Sequence, residues 1–224
     1  MRSSGAASGL AGRAARVIGA ASCVIGLAAA PAGCAEDSAS PETPAPPLVS
    51  VLGKGRERAT GFAVGAGSVV TVAHAVEGGN VVRVRTGAGS RPARVVRVDR
   101  RADLALLAVR GLRTSAADIE TAASEDAVEV MVLRDNRTAS LPAVVRRAID
   151  ARVSAPGAGQ PLRRPALELE AHTRAGDSGA PVVGEGGEVT GVVFARSRNR
   201  AETAYAVAAQ ALDRLLDGAG GGGG

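Results

Sequence analysis

Aromatic residues are almost missing from this chain: no Trp, one Tyr and two Phe among 224 residues. No basic block carries interleaved aromatics, so nothing here suits a nucleic-acid partner. Cysteine is as scarce. Cys23 and Cys34 are the two, and both lie near the N terminus. The remainder of the chain therefore forms no disulfide and no thiolate metal site, and its stability must come from core packing. Lysine is nearly absent too, so the pI of about 10.4 reflects arginine. No repeat of 20–50 residues is present, so no repeat array is expected.

What is present begins with an export signal. Residues 1–34 carry Arg2, Arg13 and Arg16 and no acid, followed by an apolar run from Val17 to Ala30 and small residues before Cys34. A basic region, a short apolar core and a small-residue exit describe a segment removed on export. The run is too short and too rich in Gly and Ala to span a membrane comfortably. An uncleaved N-terminal anchor is the alternative. The stretch Pro31-Ala32-Gly33-Cys34 resembles a bacterial lipobox, which would make Cys34 a lipidated first residue; Pro31 departs from the usual aliphatic. Loss of residues 1–34 takes the formal charge from +5 to +2.

Residues 35–47 are small, polar and Pro-rich, a composition that buries no core and reads as a tether. Residues 218–224 are nearly all glycine and read as a disordered tail, with Gly218 ending the last helix. Between them, residues 48–217 suffice for one core of ordinary domain size. Short runs of Val, Leu, Ala and Thr recur between turn residues. Strands are predicted near 48–53, 59–65, 68–73, 80–85, 92–98 and 104–109. A second set is predicted near 128–134, 140–147, 166–171, 180–184, 188–195 and 203–207. The polar segment 112–127 connects the halves. Val207, Ala211, Leu212 and Leu215 fall at helical spacing, predicting a helix over 208–217. The fold class is all-β: two six-stranded antiparallel barrels and a C-terminal helix.

Three short segments carry the chemistry: TVAHAV with His74, RADLALL with Asp103, and RAGDSGAPVV with Ser178. A nucleophilic serine needs a base to take its proton, and the base needs an acid to fix its tautomer and orientation. The order His, Asp, Ser belongs to the chymotrypsin arrangement, not to subtilisin or the α/β-hydrolases, and no GxSxG elbow points to an esterase. His74 follows a strand at the start of a turn. Asp103 opens an apolar strand, which places its carboxylate at a buried entrance. The glycines around Ser178 permit a sharp backbone and close substrate approach.

Together TGFAVGAGSVVTVAHAV, RADLALLAV, AGDSGAPVV and GVVFARS with AYAV resemble the bacterial trypsin-like serine proteases of the chymotrypsin fold. Within these the chain is similar to HtrA-type catalytic domains and to short membrane-anchored members of high-GC bacteria. The resemblance covers residues 48–217. It implies a serine-type endopeptidase with the triad His74, Asp103 and Ser178, and an oxyanion hole from the N–H groups of Gly176 and Ser178. It implies a first specificity pocket with His172 at its base, Phe194, Ala195 and Arg196 along its edge, and Ala204 and Tyr205 as its far wall. Many relatives have Ser where Phe194 stands, supporting the triad aspartate, and Gly where Arg196 stands. No acid occupies the pocket base, so small apolar side chains are expected before the cut; an acidic preference through His172 and Arg196 is the alternative. Asp177 has no Ile-Val N terminus to pair with, so it is expected to bond to backbone or to an arginine, without an activation cut.

The expected partners are protein or peptide substrates, and a membrane through the N-terminal lipid or signal anchor. No metal or cofactor is required. The expected location is the cell envelope outside the cytoplasmic membrane, or else a secreted soluble form. A catalytically silent, envelope-anchored peptide-binding module is the competing reading on the same fold.

Overall fold

Period-two alternation of Val and Leu with polar residues builds the sheets of this chain. The computed structural model describes residues 44–53, 58–153 and 161–218. The expected export segment with Cys34, the linker as far as residue 43, and residues 219–224 lie outside the described residues.

The first barrel contains β1 (Leu48–Leu52), β2 (Arg58–Gly65), β3 (Ser68–Val72), β4 (Val81–Thr86), β5 (Gly89–Asp99) and β6 (Leu104–Val109). All neighbours are antiparallel, and the sheet closes in the order β1-β2-β3-β6-β5-β4. In β4 the pattern is plain: Val82 and Val84 point inward while Val81 and Arg83 face solvent. Such alternation is what a strand with one wet face requires.

The second barrel contains β7 (Ala127–Arg134), β8 (Arg137–Val153), β9 (Leu162–Glu170), β10 (Pro181–Val183), β11 (Val189–Arg196) and β12 (Thr203–Ala208). It closes in the order β10-β11-β12-β9-β8-β7. The helix α1 (Ala209–Asp217) follows and packs on β5, β6, β11 and β12, so it touches both barrels. That cover explains why the run LALLAV of β6 is buried almost throughout instead of alternating.

One apolar cluster fills the first barrel with Phe62, Val69, Val72, Leu104 and Leu107, then continues through Val192, Phe194, Leu212 and Leu215. A second cluster fills the other barrel with Val130, Val132, Val145, Leu169 and Val182. The segment between barrels is largely irregular but tied down: the Val189 N–H donates to the Asp118 carbonyl at 2.8 Å, and the Glu120 N–H to the Val189 carbonyl at 3.1 Å.

All twelve expected strands are present. The largest difference is the β8–β9 hairpin, which runs on to Val153 and resumes at Leu162, well past the expected limits of 147 and 166. A register shift between Val145 and Arg147 starts the extension. Beyond it Ile149, Ala151 and Val153 alternate with polar residues and pack on the first-barrel cluster. The helix begins one residue later than expected, because Val207 and Ala208 complete β12. Gly218 does cap α1, but with φ −68° it makes no use of glycine's left-handed freedom.

Candidate active site

The site is built on chain turns at the seam between the barrels. Leaving β3, the backbone tightens into a 3₁₀ helix, Ala73–Val76, whose second residue is His74. Ala73, Ala75 and Val76 are buried and pin this turn, while the His74 side chain remains 45% exposed.

Asp103 stands in the turn that enters β6. The Asp99 carboxylate accepts from the Arg101 and Ala102 N–H groups at 2.8 and 2.9 Å and shapes that turn. Asp99, not Asp103, therefore caps this turn. Asp103 itself is left-handed, with φ 60°. This is a strained conformation for most residues, tolerated by Asp, and such strain collects at functional sites. It lets one residue grip the His74 turn three times, twice at His74 itself and once at Ala73. The Asp103 carbonyl accepts the Ala73 N–H at 2.9 Å. Oδ1 accepts the His74 backbone N–H at 3.0 Å, and Oδ2 lies 2.8 Å from His74 Nδ1. Against a carboxylate, which can only accept, a neutral imidazole would place its proton on Nδ1 and its lone pair on Nε2.

Ser178 lies in the turn before β10. Gly176 and Gly179 flank it with φ 96° and 86°. The close approach of the two barrels demands glycine at 179, since a Cβ there would sit 1.9 Å from the Thr60 carbonyl oxygen and 2.8 Å from Thr71 Oγ1. Hydrogen bonds stitch the same contact. The Thr60 N–H donates to the Ser178 carbonyl at 2.8 Å and Thr60 Oγ1 to the Gly176 carbonyl at 3.0 Å. Thr71 Oγ1 donates to the Thr60 carbonyl at 2.8 Å. Thr71 belongs to the strand that leads to His74, so one short chain of bonds links that strand and the serine turn.

Asp177 is only 1% exposed. Its Oδ2 accepts from Arg134 at 2.8 Å and from the Arg174 backbone N–H at 2.8 Å. The expected backbone and arginine partners are both found, but the arginine comes from the end of β7. A buried carboxylate needs such pairing, and here it braces the serine turn.

Phe194 occupies a register shift in β11 between Val193 and Ala195 and is buried. Bulges of this kind re-aim a side chain beside active sites. Its ring lies 6.4 Å from that of Tyr205, tilted by 36°. Ala204 is fully buried, Ala195 half-buried and Arg196 exposed. The Tyr205 hydroxyl accepts from Arg200 at 3.0 Å. Arg200 also reaches buried Glu168 at 3.0 Å, as does Arg147 at 3.0 Å. His172 is 74% exposed and lies 3.4 Å from Glu202, at the rim of a broad cavity of about 960 Å³ with Pro44, Pro142 and Val183 in its walls.

Residue-by-residue reading of the sequence missed Arg164, Arg134, Thr60 and Thr71. Alternation in β9 offered one clue, because it sets Arg164 on the same face as Ala166. Nothing local marks Arg134 or the two threonines, whose partners lie in distant turns.

This architecture defines the class. The trypsin-like peptidase domain matches residues 59–192, and the chain belongs to that family of serine-type peptidases. Serine proteases MT3772 and Rv3671c of Mycobacterium tuberculosis are each 36% identical to it over 157 residues, covering 67% of this chain. The chain spans about two fifths of those relatives' length, 39%. The active form of the Rv3671c protease superimposes with a TM-score of 0.71 at 30% identity, covering 79% of this chain and 81% of that one. The protease domain of MamO from Magnetospirillum magneticum gives a TM-score of 0.62 at 25% identity, covering 75% and 95%. A serine endoprotease of Yersinia pestis, 18% identical with a TM-score of 0.64, shares the fold; 79% of this chain and 63% of that one align.

Proposed function

We propose that this chain is an exported serine endopeptidase working through His74, Asp103 and Ser178. The observation that carries the reading is the threefold grip of Asp103 on the turn and ring of His74. A base held this way has its tautomer and direction fixed before substrate arrives. Ser178 Oγ attacks the peptide carbonyl carbon while His74 Nε2 takes the hydroxyl proton. Negative charge gathers on the carbonyl oxygen, facing the N–H groups of Gly176 and Ser178. His74 then gives its proton to the leaving amine as the C–N bond breaks. Water, deprotonated by His74, attacks the acyl carbon, and His74 returns that proton to Ser178 Oγ as the ester bond breaks and the carboxyl product leaves.

A fluorophosphonate probe and a peptide library test this directly. The wild type should label at Ser178 and cleave a subset of peptides. His74→Ala or Ser178→Ala should each lower kcat by about 10⁴–10⁶, with the double variant hardly worse, because serine and base act as one unit. Folded wild type that neither labels nor cleaves would leave the silent peptide-binding module as the better account.

Export and lipid anchoring rest on Ala32-Gly33-Cys34 after the apolar run. Among the described residues no helix is long and apolar enough to cross a membrane. Cys34→Ser should move the protein to the soluble fraction with its specific activity kept. Retention of that variant in the membrane, with residues 1–34 still attached, would point to the uncleaved anchor.

A further inference from the structure

Arg164 is the most unusual charged side chain in the molecule. It lies on β9 opposite Ala151, in the part of the β8–β9 hairpin that extends onto the first barrel. Its side chain is 4% exposed. One terminal nitrogen is 3.4 Å from Asp103 Oδ2, forming an ion pair, and 3.4 Å from the Ala102 carbonyl oxygen. The guanidinium carbon sits 4.8 Å from the centre of the Phe194 ring. Its Nε is buried without a hydrogen-bond partner.

Stability does not account for this arrangement. Burying a guanidinium is costly, and a long ion pair, a long hydrogen bond and a ring face offset it only in part while Nε stays unsatisfied. Apolar side chains in such places are commonly as stable or more so. The place of the charge is more telling. The Asp103 oxygen it approaches is the one that receives the His74 ring at 2.8 Å. Phe194 has no hydroxyl to offer Asp103. It presents a ring face instead, and that face holds the guanidinium.

We propose that Arg164 is a positioning residue that fixes the Asp103 carboxylate, from the second barrel, in the orientation that receives His74; this rests on the triad reading above. With Oδ1 on the His74 backbone and Oδ2 between the ring and Arg164, the carboxylate cannot turn without losing a partner. The Phe194 ring backs the guanidinium. Arg164 touches neither the reacting bond nor the proton in flight, so it acts through Asp103 alone.

The test uses the full-length protein and five variants: Arg164→Met, Arg164→Lys, Asp103→Asn, and Asp103→Asn combined with each change at Arg164. A peptide found by library cleavage gives kcat and KM, and the fluorophosphonate labelling rate follows the slowest forms. Arg164→Met should lower kcat by about tenfold to a hundredfold with KM nearly unchanged. Arg164→Lys, which keeps a cation, should recover part of that loss. With Asp103→Asn already present, the change to Met should have little further effect, because its target is gone. An equal loss in both backgrounds would assign Arg164 to packing and overturn the proposal. So would an unchanged kcat, or a raised KM with kcat held. If Arg164→Met does not fold, Arg164→Lys carries the same comparison: a lowered kcat that disappears beside Asp103→Asn supports the role, and an equal loss in both backgrounds removes it. A wild type inert to probe and peptides would sink the triad and this role together, whereas an active wild type indifferent to Arg164 sinks this role alone.

Discussion

At the scale of single residues, buried charges help order a chain with few aromatic side chains. Glu168 is 7% exposed, yet it faces two arginines. Burial is the largest single influence on its carboxyl and pushes the pKa up. The hydrogen bonds and charges of Arg147 and Arg200 together outweigh it and hold the group below its ordinary 4.5. A carboxyl depressed by folding contributes stability that is present above its unfolded pKa and lost as the pH falls through the folded one. Glu168→Gln should therefore lower the urea midpoint at pH 7, and the gap from wild type should narrow as the pH drops below 4.5. An equal gap at pH 7 and at about pH 3 would mean the charge contributes nothing. Arg134 and Asp177 form a comparable pair beneath the serine turn, with the carboxylate side chain 2% exposed.

At the scale of elements, α1 is the piece that closes the seam. Ala209, Ala211, Leu212 and Leu215 form its buried face, and Leu212 is fully enclosed. Leu212→Ala should cost about 2–5 kcal/mol, the range for a buried leucine truncated in a packed core, and lower Tm accordingly. A loss under about 1 kcal/mol would mean the helix is only loosely docked. The helix and the barrels were legible because Val, Leu and Ala recur at fixed periods between Gly, Asp and Arg turns. The hairpin extension was not. Arg146, Arg147, Asp150 and Arg152 crowd that stretch, and its apolar side is modest until the first barrel is there to receive it. The same holds for the site. His74, Asp103 and Ser178 stand in motifs that can be read one at a time. Arg164 acquires meaning only when β9 is laid against the turn that carries Asp103, 61 positions earlier in the sequence.

At the scale of the whole molecule, both cysteines precede residue 35. A protein of residues 45–217 should therefore fold alone, with a thermal midpoint unmoved by dithiothreitol. A midpoint that shifts with reductant would contradict a domain held by packing alone. The union of the barrels has its own test at Gly179, where a side chain would meet the Thr60 carbonyl. Gly179→Ala should abolish probe labelling while leaving most of the strand signal in circular dichroism. Full labelling in that variant would show that the contact yields freely.

The same stitches, Thr60 to Ser178 and Thr71 to Thr60, make the serine's own backbone a rivet between two separately closed cylinders. A rivet cannot be worked loose and still clamp. Warming should thus pass the molecule directly from working to undone, because loosening the halves and dismantling the reactive turn are one event. Any parting of the barrels must first give up the bonds that hold the serine turn.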